Sequence, residues 1–436
     1  MGQSEMKNTD IISRVWAREV LNFRGDPTVE AEIWLSDGSC GRGAVPTGIS
    51  VGSHEVGQLL DGDPARFAGK GALRAVQNVR EIIAPALRGM RASPQEAIDR
   101  KLIELDGTSN KSRLGGNAIL AVSLATAQAA AASQKLPLYR YLGGQGPFAL
   151  PVPAFDMLNG GAHAQNSVDF QEYLVIPAGV PSYRAALEAG FAIYHALISL
   201  LQKRGVSAQP TGPLAAPLCS NREGVEVIAS AIEAAGYSLG EQCYIGIDAA
   251  ASELYQDGKY VLRCERRKLT SAELTDLWSE WIETYPIISL EDPLSEEDWS
   301  GWQALTRRVG ERVQLVGDDL FTTSPEQVKK GIALGAANAV LIKPNQIGTL
   351  SETLETIRIA NGAGWAAMLS TRSGEAEDTT IADLAVLNGC GQIKTGPPIA
   401  KNIPKHNRLL RIEEELGDEA KYKGAQAFRK LTPEST

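Results

Sequence analysis

Between Tyr244 and Lys394 the chain repeats one pattern, a short apolar run that stops at a charged or polar residue. Tyr244-Ile-Gly-Ile247 stops at Asp248, Ile287-Ile-Ser-Leu290 at Glu291, and Val313-Gln-Leu-Val-Gly317 at Asp318. Ala339-Val-Leu-Ile342 stops at Lys343, Trp365-Ala-Ala-Met-Leu369 at Ser370 with Arg372 two places on, and Gly391-Gln-Ile393 at Lys394. Segments of helical periodicity separate the runs. Strands alternating with helices, each strand tipped by a functional group, predict a β/α barrel with its site at the C-terminal mouth. Buried strands alone would account for the apolar runs but not for polar groups recurring at the same tip.

The 436 residues exceed what one ordinary core organises, so two domains are expected. Residues 1–142 read as an α+β domain. Thr28-Val-Glu-Ala-Glu-Ile-Trp-Leu35 alternates polar and apolar ahead of a Ser36-Asp37-Gly38-Ser39 turn, and the alanine-rich Ala118–Ser133 reads as a buried helix. Pro46–Gly57 is a candidate mobile loop, and the glycine- and proline-rich stretch Gly143–Pro153 has linker composition. Residues 143–436 form the barrel domain, in which Ser182, and Ser324 followed by Pro325, are expected helix caps.

A net charge of −9 argues against a general attraction to nucleic acid or membrane. The five cysteines are scattered without a CxxC pair, so neither a zinc site nor a disulfide framework is expected. The N-terminal residues lack a signal-peptide apolar region, and no apolar run is expected to approach the length of a membrane span. A cytoplasmic protein is expected.

Three carboxylates at successive tips, Asp248, Glu291 and Asp318, would repel one another unless a hard cation bound by oxygen lay between them. Magnesium fits, because it retains open positions for substrate oxygens. Lys343 and Lys394 follow at later tips. A lysine beside other cations can act as a base, and a base beside a metal suits removal of a proton from carbon next to a carboxylate. Arg372 and Ser373 suit an oxyanion such as phosphate. Structural ion pairs in the barrel, and a solvated arginine, are the alternatives these residues leave open.

Over nearly its whole length the chain resembles the enolase family. The matching segments are Phe23-Arg-Gly-Asp-Pro-Thr-Val-Glu30, Asn117-Ala-Ile-Leu-Ala-Val-Ser-Leu124, Leu158-Asn-Gly-Gly-Ala-His163, Asp169-Phe-Gln-Glu172, Ser289-Leu-Glu-Asp292, Val316-Gly-Asp-Asp-Leu-Phe321, Leu341-Ile-Lys-Pro-Asn-Gln-Ile-Gly348, Arg372-Ser-Gly-Glu375, Gln392-Ile-Lys-Thr-Gly396 and Leu409-Leu-Arg-Ile-Glu-Glu-Glu-Leu-Gly417. A lysine or histidine base with magnesium is the known pattern of that superfamily rather than a deduction from these residues. The resemblance implies that Asp248, Glu291 and Asp318 bind Mg2+, that Lys343 takes the α-proton of a 2-phosphoglycerate-like substrate, and that Lys394 contacts the substrate carboxylate. It further implies that Arg372 and Ser373 hold the phosphoryl group and that Ser50 closes over a second Mg2+. His163 and Glu172 would line the leaving-hydroxyl side as catalytic residues, and Gln171 beside them would bind substrate. A dimer or larger homo-oligomer acting on a small phosphorylated or phosphonylated acid is expected.

The sequence also departs from that family. Where enolases carry a Gly-Asp-Glu-Gly-Gly loop whose glutamate protonates the leaving hydroxyl, this chain has Thr211-Gly-Pro-Leu-Ala-Ala-Pro217, and no acidic residue lies between Lys203 and Arg222. Thr371 replaces the histidine before the arginine, Lys343-Pro344-Asn345 replaces Lys-Phe-Asn, and the lid reads Thr47-Gly-Ile-Ser-Val51. The changes fall on the leaving-group and lid side, while the metal and base side is intact. Neutral drift would not spare one half so cleanly, so a changed substrate or a changed acid is expected. The specialist relative with this logic is carboxyphosphonoenolpyruvate synthase of phosphonate biosynthesis, with Glu172, His163 or a substrate group supplying the proton. An ordinary enolase with a rewired acid and a non-catalytic binding protein on the same fold are the competing readings.

Overall fold

The computed structural model describes residues 10–48, 52–164, 167–207, 209 and 211–428. Strands β1 (Ile12–Leu21), β2 (Pro27–Leu35) and β3 (Cys40–Ala44) form an antiparallel meander. The expected turn joins β2 to β3: the Ser39 amide donates to Asp37 Oδ1 at 2.8 Å, and Gly38 takes φ +88°. The alanine-rich helix spans Gly116–Ser133 and is buried along nearly its whole length. It lies on β3 at a distance only small residues permit. A Cβ on Gly41 would stand 2.1 Å from Ala129 N and 2.2 Å from Ala125 O, both backbone atoms that cannot step aside. Gly41→Ala is therefore expected to cost about 1–3 kcal/mol or more of stability, by the usual penalty for overpacking. A shift in the urea unfolding midpoint measures it, and an unchanged midpoint would mean that the helix slides freely.

The second unit is a closed barrel. Its strands are β4 (Val152–Asn159), β5 (Glu172–Ile176), β7 (Tyr244–Asp248), β11 (Ile287–Glu291), β12 (Gln314–Gly317), β13 (Ala339–Ile342), β14 (Ala366–Ser370) and β15 (Gln392–Thr395). They pair in that order and β15 returns to β4, closing the ring. A two-residue strand β6 (Leu214–Ala215) adds to the end of β4, and β8 (Tyr255–Gln256), β9 (Lys259–Leu262) and β10 (Arg267–Leu269) make a small side sheet. The parallel β/α rhythm legible from Tyr244 onward does not extend to the start of the barrel. There β5 runs antiparallel to both β4 and β7, because β4 and β5 are joined without a crossover helix. Val152 and Pro153, which have linker composition, already belong to β4.

Val152, Ala154, Leu174, Ile176, Ile288, Val316, Leu341 and Met368 fill the barrel below the mouth. The expected caps are present: Ser182 accepts from Ala185 N at 3.1 Å and Ser324 from Gln327 N at 3.4 Å. One expectation needs correction. The helix Tyr183–Lys203 is long and apolar enough, by length and composition, to cross a membrane. Its buried residues Ala186, Ala189, Gly190, Ile193, Tyr194, Leu197, Ile198 and Leu201 recur at three- and four-residue spacing, and Gly190 meets the ring of Phe155 on β4. It is a core helix of the barrel's outer layer.

Candidate active site

The mouth is organised by strand register. Glu172 on β5 pairs with Asp248 on β7, which pairs with Glu291 on β11, so three carboxylates stand in one row on adjacent strands. Lys394 reaches them from β15. Its ammonium donates to Glu291 Oε1 at 2.7 Å and Asp248 Oδ2 at 2.9 Å, and it ion-pairs with Glu172 Oε2 at 2.8 Å. Burial opposes the charge on Lys394, but Asp248, Glu172 and Glu291 together hold its pKa well above the ordinary lysine value. Burial and the neighbouring Asp248 push the Glu291 pKa well up, which favours its protonated form while no further cation is present.

Asp318 and Lys343 follow β12 and β13 directly and form an ion pair. Burial works against the Lys343 charge, yet Asp318 prevails and the amine stays above its usual range. Asp318 also accepts from Gln346 Nε2 at 2.9 Å. The Asp292 carboxylate accepts from the backbone amides of Asp318 at 2.9 Å and Asp319 at 2.8 Å, which fixes this turn. Asp292, Asp318 and Asp319 offer oxygens within 4.8 Å of one another, and burial with the Asp318 charge lifts Asp319 to about 8.

Oxygen dominates this chemistry. Three carboxylates converge on one ammonium, a second acidic trio adjoins it, and Gln171 Oε1 is buried without a hydrogen-bond partner among the described residues while its nitrogen lies 3.4 Å from Asp248. Such donors fit a hard divalent cation rather than a soft one.

Arg372, just beyond β14, is buried. Its guanidinium binds Glu55 from the N-terminal unit at 3.1 and 3.2 Å and Asn345 Oδ1 at 3.0 Å. Glu55 thus shows that the site holds an anionic oxygen pair in the fork of Arg372. Lys401 donates to the carbonyls of Arg372 and Ser373 at 3.2 and 3.1 Å. His163 Nδ1 lies 3.1 Å from Glu172 Oε1. A cavity of about 190 Å³ joins these groups, lined by His163, Gln171, Glu172, Asp248, Lys343, Arg372, Ser373 and Lys394. Glu291 and Asp318 meet that lining through their lysine partners. Ser50 and Val51 of the lid lie outside the described residues.

The sequence reading left out Glu55, Asp156, Asp292, Asp319 and Lys401. Asp292 and Asp319 each follow a carboxylate already singled out. Asp156, a charge inside the apolar run Pro153-Ala-Phe-Asp-Met-Leu158, was detectable as an anomaly in a buried strand. Glu55 had no local signal.

Comparison with family profiles matches residues 12–142 to “Enolase, N-terminal domain” and residues 147–431 to “Enolase, C-terminal TIM barrel domain”. The chain belongs to the enolase family. Its barrel and its sheet-and-helix cap are those of an enolase, and an enolase-superfamily lyase is the activity class that goes with them. Against that background the altered segment acquires a place. Leu214–Ala215 pairs with Leu158–Asn159 at the tip of β4, and Pro213 and Thr371 both line the cavity of this enolase-family chain.

Proposed function

We propose that this enolase-family lyase is a magnesium-dependent hydro-lyase. It removes the α-proton of a 2-phosphoglycerate-like acid and expels water to leave an enolpyruvate. Lys343 serves as base, Lys394 and Gln171 orient the carboxylate, and Arg372 with Ser373 binds the phosphorus group. Asp248, Glu291 and Asp318 would hold Mg2+, which when bound supplies positive charge to the enediolate oxygens. The expected cytoplasmic location and homo-oligomeric state belong to the same reading, as does Ser50 as a lid residue.

We propose further that the head group is more anionic than phosphate, as in the carboxyphosphonate analogue used by carboxyphosphonoenolpyruvate synthase. The observation that carries this is Lys401. Arg24, Lys343, Arg372 and Lys394 already line the cavity, and Lys401 adds a mostly buried cation directly behind the phosphorus-binding pair. Burial pushes its pKa down, so a nearby anion would favour its charged form. The complete base and metal side equally serves 2-phosphoglycerate, which makes ordinary enolase the second reading. Steady-state assays with Mg2+ separate the two. Preference for the carboxyphosphonate substrate by at least about 10-fold in kcat/KM, shrinking in Lys401→Met, is expected, since each factor of 10 corresponds to about 1.4 kcal/mol. Equal or better use of 2-phosphoglycerate would remove the head-group assignment.

A further inference from the structure

An elimination needs an acid as well as a base, because hydroxide is a poor leaving group. The segment 204–221 contains no carboxylate, and its short strand places Leu214 beside Leu158 and brings Pro213 to the cavity. Glu172 lies at the same mouth, but Lys394 and His163 outweigh burial and hold its carboxylate ionised. An ionised carboxylate has no proton to give.

From the cavity wall, its charges and the strand order, we infer that Asp156 is the catalytic acid that protonates the departing hydroxyl. This assignment rests on the lyase reading above. Asp156 sits on β4, buried, and lines the cavity with Asn159, His163 and Pro213. Lys343 follows β13, three positions away round the ring through β14 and β15. A substrate lying across the mouth therefore meets the base from one side and Asp156 from another, as loss of a proton and a hydroxyl from adjacent carbons requires.

The surroundings keep a proton on this group. Burial acts first and the charge of Glu172 second, with Asp248 adding to both; Lys394 and Lys401 oppose them, and the carboxyl still ends well above its ordinary range. Asn159 lies against both Asp156 oxygens and, with its amide nitrogen turned toward them, donates at 2.9 and 2.8 Å. With its oxygen turned inward it would accept from the protonated acid, so one side chain serves both states.

The step balances. Lys343 takes the α-proton, the electron pair forms the carbon–carbon double bond, the β-carbon–oxygen bond breaks, and the Asp156 proton leaves with the hydroxyl as water. Asp156 then regains a proton and Lys343 loses one to solvent.

The test follows both half-reactions in D2O with Mg2+ and the two candidate acids. In Asp156→Asn, α-proton exchange into solvent should persist at near the unaltered rate while enolpyruvate formation falls by about 10²–10⁴-fold, the usual contribution of a general acid. Asp156→Glu should recover part of the loss. Undiminished elimination in Asp156→Asn overturns the assignment, and so does loss of exchange together with elimination, which would make Asp156 a structural residue. Absence of exchange in the unaltered protein overturns the lyase reading and this inference with it.

Discussion

Lys343→Ala is expected to stop exchange of the substrate α-proton with solvent and to lower turnover by about 10²–10⁴-fold, the range for loss of a positioned general base. Lys394 is committed to Glu172, Asp248 and Glu291, and Arg372 does not lose its proton at any working pH. Lys343 begins charged because Asp318 holds it so, and neutralising Asp318 is what would let the amine act. Folding should be less affected than chemistry, since Asp318 keeps its bond from Gln346. Proton NMR in D2O reads the exchange directly, and thermal unfolding of the same sample reads the fold. Exchange that survives the substitution would place the base on another residue and end the assignment of Lys343.

How far the site could be read from sequence follows from how each residue is held. Asp248, Glu291, Asp318, Lys343 and Lys394 stand where an apolar strand ends, so the local contrast marks them and the barrel topology brings them together. Asp156 stands inside a strand rather than at its tip, so only its charge among the apolar residues of a buried strand marks it. Glu55 and Arg372 are 317 residues apart, and only the docking of the cap on the barrel joins them. The antiparallel β5 was equally hidden: Glu172-Tyr-Leu-Val-Ile176 reads as a strand in either direction, and its direction comes from the short connection to β4. Lys401 is an ordinary surface residue by composition, made an internal one by the turn that follows β15.

Lys394→Met should produce the largest change in stability. The substitution keeps an unbranched chain of similar length and removes the charge shared by three buried carboxylates. Breaking a buried ion pair by deleting one partner costs about 3–5 kcal/mol, because the remaining charge is left uncompensated. The penalty should be larger at pH 8 than at pH 5. Without the ammonium, Glu172 and Glu291 lose the charge that opposes their burial and bind protons more tightly in the folded state than in the unfolded one, so stability falls as pH rises through their range. A divalent cation that uses the same oxygens should repair the loss. Added Mg2+ at 100 times its Kd stabilises by about 2.7 kcal/mol, and the rise in Tm should be greater for Lys394→Met than for the unaltered protein, in which the ammonium already serves the row. Thermal unfolding at both pH values, with and without Mg2+, measures all of this in one series. A variant as stable as its parent at pH 8, or one indifferent to Mg2+, would mean that the three carboxylates do not share a cation, and the metal assignment for Asp248 and Glu291 would fall with it.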